Sequence, residues 1–328
     1  MPAPTPHPEP RHRHVDGPAG PLHLVEQGTG PLVLLLHGFP ESWSSWRHQL
    51  PALAAAGYRA VALDVRGYGR STVPADPAAY RMLELVEDNA AVVRALGAQR
   101  AVLVGHDWGS PIAANTALAR PDVCAGVGML GVPYSPRGPM RPSEAFAGIG
   151  GDEEFYVRYF QEPGRAEAEI ESDVRSWLAG FYAALSADTM AHDGPSPFFV
   201  PPGARMSERF PEAVLPAWLT EAELDARTAE FSLTGFTGAL NRYRNADRDW
   251  EELAPWDGAP VTQPALYVAG ALDASTRWLA DAVAAFPETV PNLHAAHLLD
   301  GCGHWVQQER PADVNRLLVD WLDTLDLG

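Results

Sequence analysis

The sequence predicts an α/β fold: a mostly parallel sheet with flanking helices and an inserted helical cap. Three observations carry this expectation. Short apolar runs alternate with helix-length amphipathic stretches up to about Val132, as expected for parallel strands buried on both faces under helices. From about Pro133 to Pro255 the alternation gives way to helix-period aromatics and charges. Strand-type runs then return and a helix closes the chain. One core interrupted by a helical insertion is simpler than two domains in series. The expected division is a disordered Pro-rich arm over 1–14, core over 15–132, cap over 133–255 and core again over 256–328.

In chain order, PLVLLLHG (Pro31–Gly38) reads as a buried strand and YRAVALD (Tyr58–Asp64) as another. The helix pattern LELVEDNAAVVRALG precedes a strand at Ala101–Gly105, and GSPIAANTALARP precedes one at Cys124–Val132. In the cap, DEEFYVRYF and ESDVRSWLAGFYAAL have helical periodicity, and GPSPFFVPPGARM is a Pro-rich loop. PALYVAG (Pro264–Gly270) is a clear strand, LHAAHLLDGCGH a weaker one, and ADVNRLLVDWLDTL a terminal helix. No internal repeat is visible.

Composition excludes several classes of function. With 46% hydrophobic and 20% charged residues the chain has an ordinary soluble composition. Its longest strongly apolar stretch near the N-terminus, Leu32–Leu36, is far short of the roughly 20 residues a membrane helix needs. The first residues lack the hydrophobic centre of a secretory signal. A net charge of −18 repels phosphate backbones and disfavours nucleic-acid or anionic-membrane partners. The chain contains no lysine, which removes Schiff-base chemistry and the phosphate-binding lysine of a P-loop. Cys124 and Cys302 lie far apart and outside any C-x-x-C pattern, so reduced thiols and a cytoplasmic setting are expected. His7, His12 and His14 read as part of a solvated tail rather than a metal tract, and no metal or cofactor is expected. A homodimer is compatible with the sequence.

Three candidate strands end in reactive residues, where parallel sheets gather functional groups. VLVG leads into His106, Asp107 and Trp108; LYVAG leads to Asp273; the last strand leads to His304. The turn VLVGHDWGSPIA resembles a nucleophile elbow, G-x-S-x-G, with Asp107 where serine is usual. A carboxylate attacking an ordinary ester would make a strained anhydride. At a saturated carbon the logic reverses: Asp107 can open an epoxide or displace a halide and leave an alkyl ester on the enzyme. Water must then attack that ester, and a neutral imidazole is the natural base. His304 fills this role, with Asp273 orienting it. Asp300 is a competing partner, less favoured because Asp273 follows a clearer strand. The oxyanion formed on Asp107 needs two backbone N–H donors, expected from Trp108 and Phe39.

At HGFPESWSSWRHQLPALAAAGYRAVALDVRGYGRS, GHDWGS and GCGHWVQQERP, the chain resembles an epoxide hydrolase of the α/β-hydrolase superfamily. The resemblance runs from about Leu32 to the C-terminus and implies the α/β-hydrolase fold with a helical cap. It implies Asp107 as nucleophile, His304 as base, Asp273 as charge partner, and Phe39 and Trp108 as oxyanion donors that also contact substrate. The substrates implied are a small-molecule epoxide and water.

An opening epoxide leaves an alkoxide that needs an acid, and a phenol is protonated at neutral pH. The resemblance places two such donors in the cap: Tyr159, in RYFQEPGRAEAE, and Tyr243, in NRYRNADRDW. Tyr156 is the alternative to Tyr159 if the register is off by one turn. His37 is expected to hold the oxyanion loop, His106 to point away from the pocket, and Asp64 and Arg66 to brace neighbouring loops.

The nearest rival is a haloalkane dehalogenase using the same Asp/His/Asp triad. It needs no acid but does need side-chain N–H donors around the halide, and Phe39 has none. A fluoroacetate-type dehalogenase would need an arginine just after the nucleophile, where Trp108 stands. A receptor built on a hydrolase scaffold would be marked by loss of a triad residue, and all three are occupied. Ser110 lies past the turn, which excludes an ordinary esterase.

Overall fold

A computed structural model describes residues 9–190, 196–211 and 214–327. Eight strands form the central sheet: β1 (Arg11–Gly17), β2 (Gly20–Gln27), β3 (Leu32–Leu36), β4 (Arg59–Leu63), β5 (Ala101–His106), β6 (Cys124–Leu130), β9 (Ala265–Gly270) and β10 (Leu293–Leu299). Their spatial order is β1-β2-β4-β3-β5-β6-β9-β10. The β1–β2 and β2–β4 pairs are antiparallel, and all others are parallel. A short antiparallel pair, β7 (Glu154–Phe155) with β8 (Phe199–Val200), lies in the insertion between β6 and β9.

The apolar runs fold this way because successive residues of a strand face opposite sides of the sheet. Leu32, Leu34 and Leu36 of β3 pack into one buried layer, and Val33 and Leu35 into the other, with Trp46 and Trp321. Both faces are dry, so a continuous apolar run is stable only in the middle of such a sheet.

The hairpin β1–β2 corrects the expectation of a disordered arm over 1–14. Arg11–His14 pair with Glu26–His23 in register, and the His12 ring stacks 5.2 Å from that of His23. The alternation RHRHVDG hid an edge strand, which tolerates charge on its outer face. His7 lies outside the described residues. His12 and His14 are strand residues, not part of a solvated tail.

β3 and β5 are neighbours, yet the chain runs from β3 to β4 on one side and then crosses to β5 on the other. Their carboxyl ends form a topological switch point, where the connecting loops diverge and leave a crevice. The loops carrying Phe39 and Asp107 meet there. Helices Val174–Ala184, Glu221–Thr234, Thr237–Arg244 and Ala246–Glu252 belong to the insertion, whose Phe181, Tyr156 and Tyr243 line the cavity beside Asp107.

Candidate active site

Asp107 sits at φ +50°, the only described residue other than glycine with positive φ. This left-handed turn holds the carboxylate out between strand and helix, and the surrounding atoms enforce it. A β-carbon on Gly105 would lie 2.0 Å from the Gly109 carbonyl oxygen, and one on Gly109 would lie 2.0 Å from that of Leu36. The glycines flanking the turn are therefore steric necessities.

The Phe39 amide donates to Asp107 Oδ1 at 2.8 Å. Trp108 opens the helix Gly109–Ala119, so its amide belongs to the first-turn donors that lack an intrahelical acceptor. The two expected oxyanion donors thus lie on the loops that meet at the nucleophile. Tyr182 braces the loop by donating to the Pro40 carbonyl at 2.5 Å. His37 donates to the Gly38 carbonyl at 2.9 Å and accepts from the Val65 amide at 3.0 Å.

His304 Nδ1 donates to Asp273 Oδ2 at 2.9 Å, while its Nε2 faces Asp107 Oδ2 at 3.6 Å. The second separation is too long for a good hydrogen bond but well within electrostatic reach. Burial opposes charging the His304 ring, but Asp273 and Asp107 outweigh it and raise its pKa well above the ordinary histidine value. Burial likewise opposes ionisation of Asp273, and the His304 charge overcomes this to lower its pKa. Asp300 is exposed, and its backbone carbonyl accepts from Arg310.

The two cap tyrosines do not both fall where expected. Tyr243 lines the cavity, its ring 5.1 Å from Trp108 and 5.5 Å from Phe39. Tyr159 does not reach the cavity. Its hydroxyl donates to Glu169 Oε2 at 2.5 Å, and the Arg165 guanidinium covers its ring at 4.0 Å. Tyr156 lines the cavity instead, its ring 6.0 Å from that of Tyr243. The correction has a simple cause. Glu169 is a buried acceptor that also binds the Ser207 amide and the Trp177 indole, and it captures the Tyr159 phenol. Burial and then the Asp107 charge push the Tyr156 pKa upward. For Tyr243 the causes are burial, Tyr156 and Asp107, so both phenols hold their protons at neutral pH.

One residue that sequence reasoning did not single out, Glu41, supports the loops from below. Glu41 accepts from His106 Nδ1 at 2.7 Å and from Gln308 Nε2 at 2.8 Å. His106 points away from the cavity, and its Nε2 donates to the His304 carbonyl at 2.8 Å. Burial alone would raise the Glu41 pKa, but His106 and nearby cations lower it to about 2. Only the HGFPES segment hinted at Glu41, since a buried acid has no periodicity of its own. Asp64 accepts from His23, Trp43 and Arg70, and Arg66 pairs with Asp88, as braces between loops. Ser110 donates to the Val132 carbonyl, away from the chemistry.

The cavity has a volume of about 760 Å³ and a mostly aromatic and aliphatic wall. Among the described residues no cluster of histidine, cysteine or acidic side chains is arranged to hold a metal, and no helix is long and apolar enough to cross a membrane.

Residues 31–311 match the family of alpha/beta hydrolase fold. The chain is 44% identical to epoxide hydrolase B of Mycobacterium tuberculosis over 90% of its own length and 92% of the relative's. Its structure superposes on an epoxide hydrolase from an endophytic Streptomyces with a TM-score of 0.94 and 68% identity, covering 96% of this chain and 95% of the other. Epoxide hydrolase A of Mycobacterium thermoresistibile gives a TM-score of 0.91 at 45% identity, covering 97% and 100%. A carboxylate at the elbow, a histidine–aspartate pair behind it, two phenols on the cavity wall and these likenesses agree: the chain belongs to the epoxide hydrolases of the α/β-hydrolase fold.

Proposed function

We propose that this chain hydrolyses epoxides to vicinal diols through an ester on Asp107, in a cytoplasmic setting where both cysteines stay reduced. The observation that carries the reading is the placement of Tyr156 and Tyr243 in the same cavity as a carboxylate nucleophile. In the first step Asp107 Oδ2 attacks an epoxide carbon, the ring C–O bond breaks, and the departing oxygen takes a proton from a phenol. Oδ1 is already engaged by the Phe39 amide, which leaves Oδ2 as the attacking atom. In the second step His304 Nε2 takes a proton from water, and the resulting hydroxide adds to the ester carbonyl carbon. Negative charge collects on Oδ1, between the amides of Phe39 and Trp108. Collapse of this intermediate breaks the bond between the acyl carbon and the alkyl oxygen; that oxygen takes the proton of the Asp107 carboxyl and leaves as the diol, which restores the carboxylate.

Charge bookkeeping supports the order of events. While Asp107 is ionised it favours the protonated ring of His304. Esterification removes that anion, so the pKa of His304 falls; the ring passes its proton to the phenolate left by ring opening, which restores the tyrosine, and can then act as a base at the moment a base is needed. Tyr159 takes no part in this scheme.

Epichlorohydrin, which carries both an epoxide and a carbon–chlorine bond, tests the reading directly. Early chlorinated diol without free chloride is expected. Chloride release with the epoxide intact would favour halide displacement and remove the purpose assigned to the tyrosines.

A further inference from the structure

The two phenols rest on different foundations. Tyr156 is seated within the cap: its amide donates to the Phe198 carbonyl at 2.8 Å, and its ring packs on Phe155 and Phe198. Tyr243 belongs to the helix Thr237–Arg244, which is fastened to the core next to it in two ways. The first is steric. Gly238 and Gly67, the latter in the loop after β4, face each other so closely that a β-carbon on Gly238 would lie 3.1 Å from Gly67 Cα and 2.9 Å from Tyr80 Oη. Two absent side chains let a cap helix touch core backbone.

The second fastening is polar. Arg242 is buried, donates to the Tyr80 carbonyl at 2.5 Å, and pairs with Asp249. Asp249 accepts from the Met82 amide at 2.6 Å, and Asn245 donates to the Pro77 carbonyl at 2.7 Å. The core segment Pro77–Met82 therefore binds three consecutive turns of the cap. The Arg242 guanidinium also lies 4.8 Å from the Trp108 ring, and the other face of this contact is the cavity. A buried pair is poor value as a stabiliser, because desolvation offsets most of its Coulomb attraction. Its best-attested use is to fix one register, and the register fixed here is that of the next residue, Tyr243.

We propose that Arg242, with Asp249 and the Gly67–Gly238 contact, is a positioning element that seats the Tyr243 phenol over Asp107. It thereby governs ring opening and not hydrolysis of the ester. The proposal rests on the aspartyl-ester reading above. A displacement of about 1 Å in a reacting group can cost up to ~10²-fold in rate, so replacing the guanidinium by a flexible apolar chain exposes the dependence.

The test separates the two chemical steps by rapid quench and intact-mass measurement with styrene oxide. His304→Gln is the reference, in which the ester should accumulate. Arg242→Met in that background is expected to slow ester formation by about tenfold or more. Decay of the ester in Arg242→Met with His304 intact should stay within about twofold of wild type. Combining Arg242→Met with Tyr243→Phe should add nothing beyond Tyr243→Phe alone, because the arginine acts through the tyrosine. Gly238→Ala, which disturbs the steric fastening and leaves the ion pair in place, should reproduce the pattern and serves if Arg242→Met fails to fold. Unchanged ester formation, equal loss in both steps, or additive loss with Tyr243→Phe overturns the proposal and leaves the ester reading standing. If His304→Gln forms no ester at all, that reading falls and the proposal with it.

Discussion

The charge coupling between Asp107 and His304 gives the most direct quantitative expectation. Asp107→Asn keeps the side-chain shape and removes the anion 3.6 Å from His304 Nε2. Two unit charges at that distance interact by about 4.6 kcal/mol at an effective dielectric near 20, and by about 1.2 kcal/mol in bulk water. Losing this attraction moves the titration of the ring downward. The side chains are only 11% and 18% exposed but border an open cavity, so the interaction should fall between these two values. The assay is a pH titration of the His304 imidazole by heteronuclear NMR in wild type and in Asp107→Asn, with intact mass used to exclude deamidated protein. Wild type should hold the proton well above the ordinary range, and the variant should release it at a distinctly lower pH. The same shift should appear in catalysis: hydrolysis of the ester should rise with pH through the lowered pKa. Coincident titrations in the two proteins would refute the idea that esterification switches His304 from acid to base.

Other expectations concern single contacts. Tyr156→Phe and Tyr243→Phe should each slow ring opening, and the double variant should lose about 10²- to 10⁴-fold. Tyr159→Phe should spare the chemistry and cost about 1.5–3 kcal/mol in urea unfolding, through its bond to the Glu169 carboxylate; a large loss of kcat there would return Tyr159 to the mechanism. The folded-state pKa of Glu41 is lowered from 4.5 to about 2, so its stabilisation is present above pH 4.5 and is lost as pH falls towards 2. That contribution is roughly 3 kcal/mol, so the urea stability of Glu41→Gln should fall less between pH 5 and pH 2 than wild type, and parallel curves would contradict this. Gly109→Ala places a methyl group 2.0 Å from the Leu36 carbonyl oxygen and should cost more than about 3 kcal/mol, read as a lowered melting temperature.

What was legible in the sequence followed from burial. β3, β5 and β9 read clearly because strands dry on both faces must be apolar throughout. β1 did not, because an edge strand can carry Arg11, His12 and Arg13 and still pair through its backbone. The elbow was legible because sterics leave glycine no substitute at 105 and 109. Tyr156 and Tyr159 were harder to separate: three residues apart, they lie within about 60° of each other around a helix. The choice is made by Glu169, ten residues on in the chain. Nothing in the local pattern announces such an acceptor. Arg242 is a similar case, since a cation in a helix usually faces solvent and only the fold shows this one buried against Trp108.

The bond from His106 to the His304 carbonyl joins residues 198 positions apart. The nucleophile and its donors are made by the first third of the chain, while the base arrives almost at the end. Long-range pairings of this kind form late, since the intervening chain must be ordered before the contact repays its entropy. The continuous stitching of Glu41, His106 and His304 ties competence in the first half-reaction to readiness for the second.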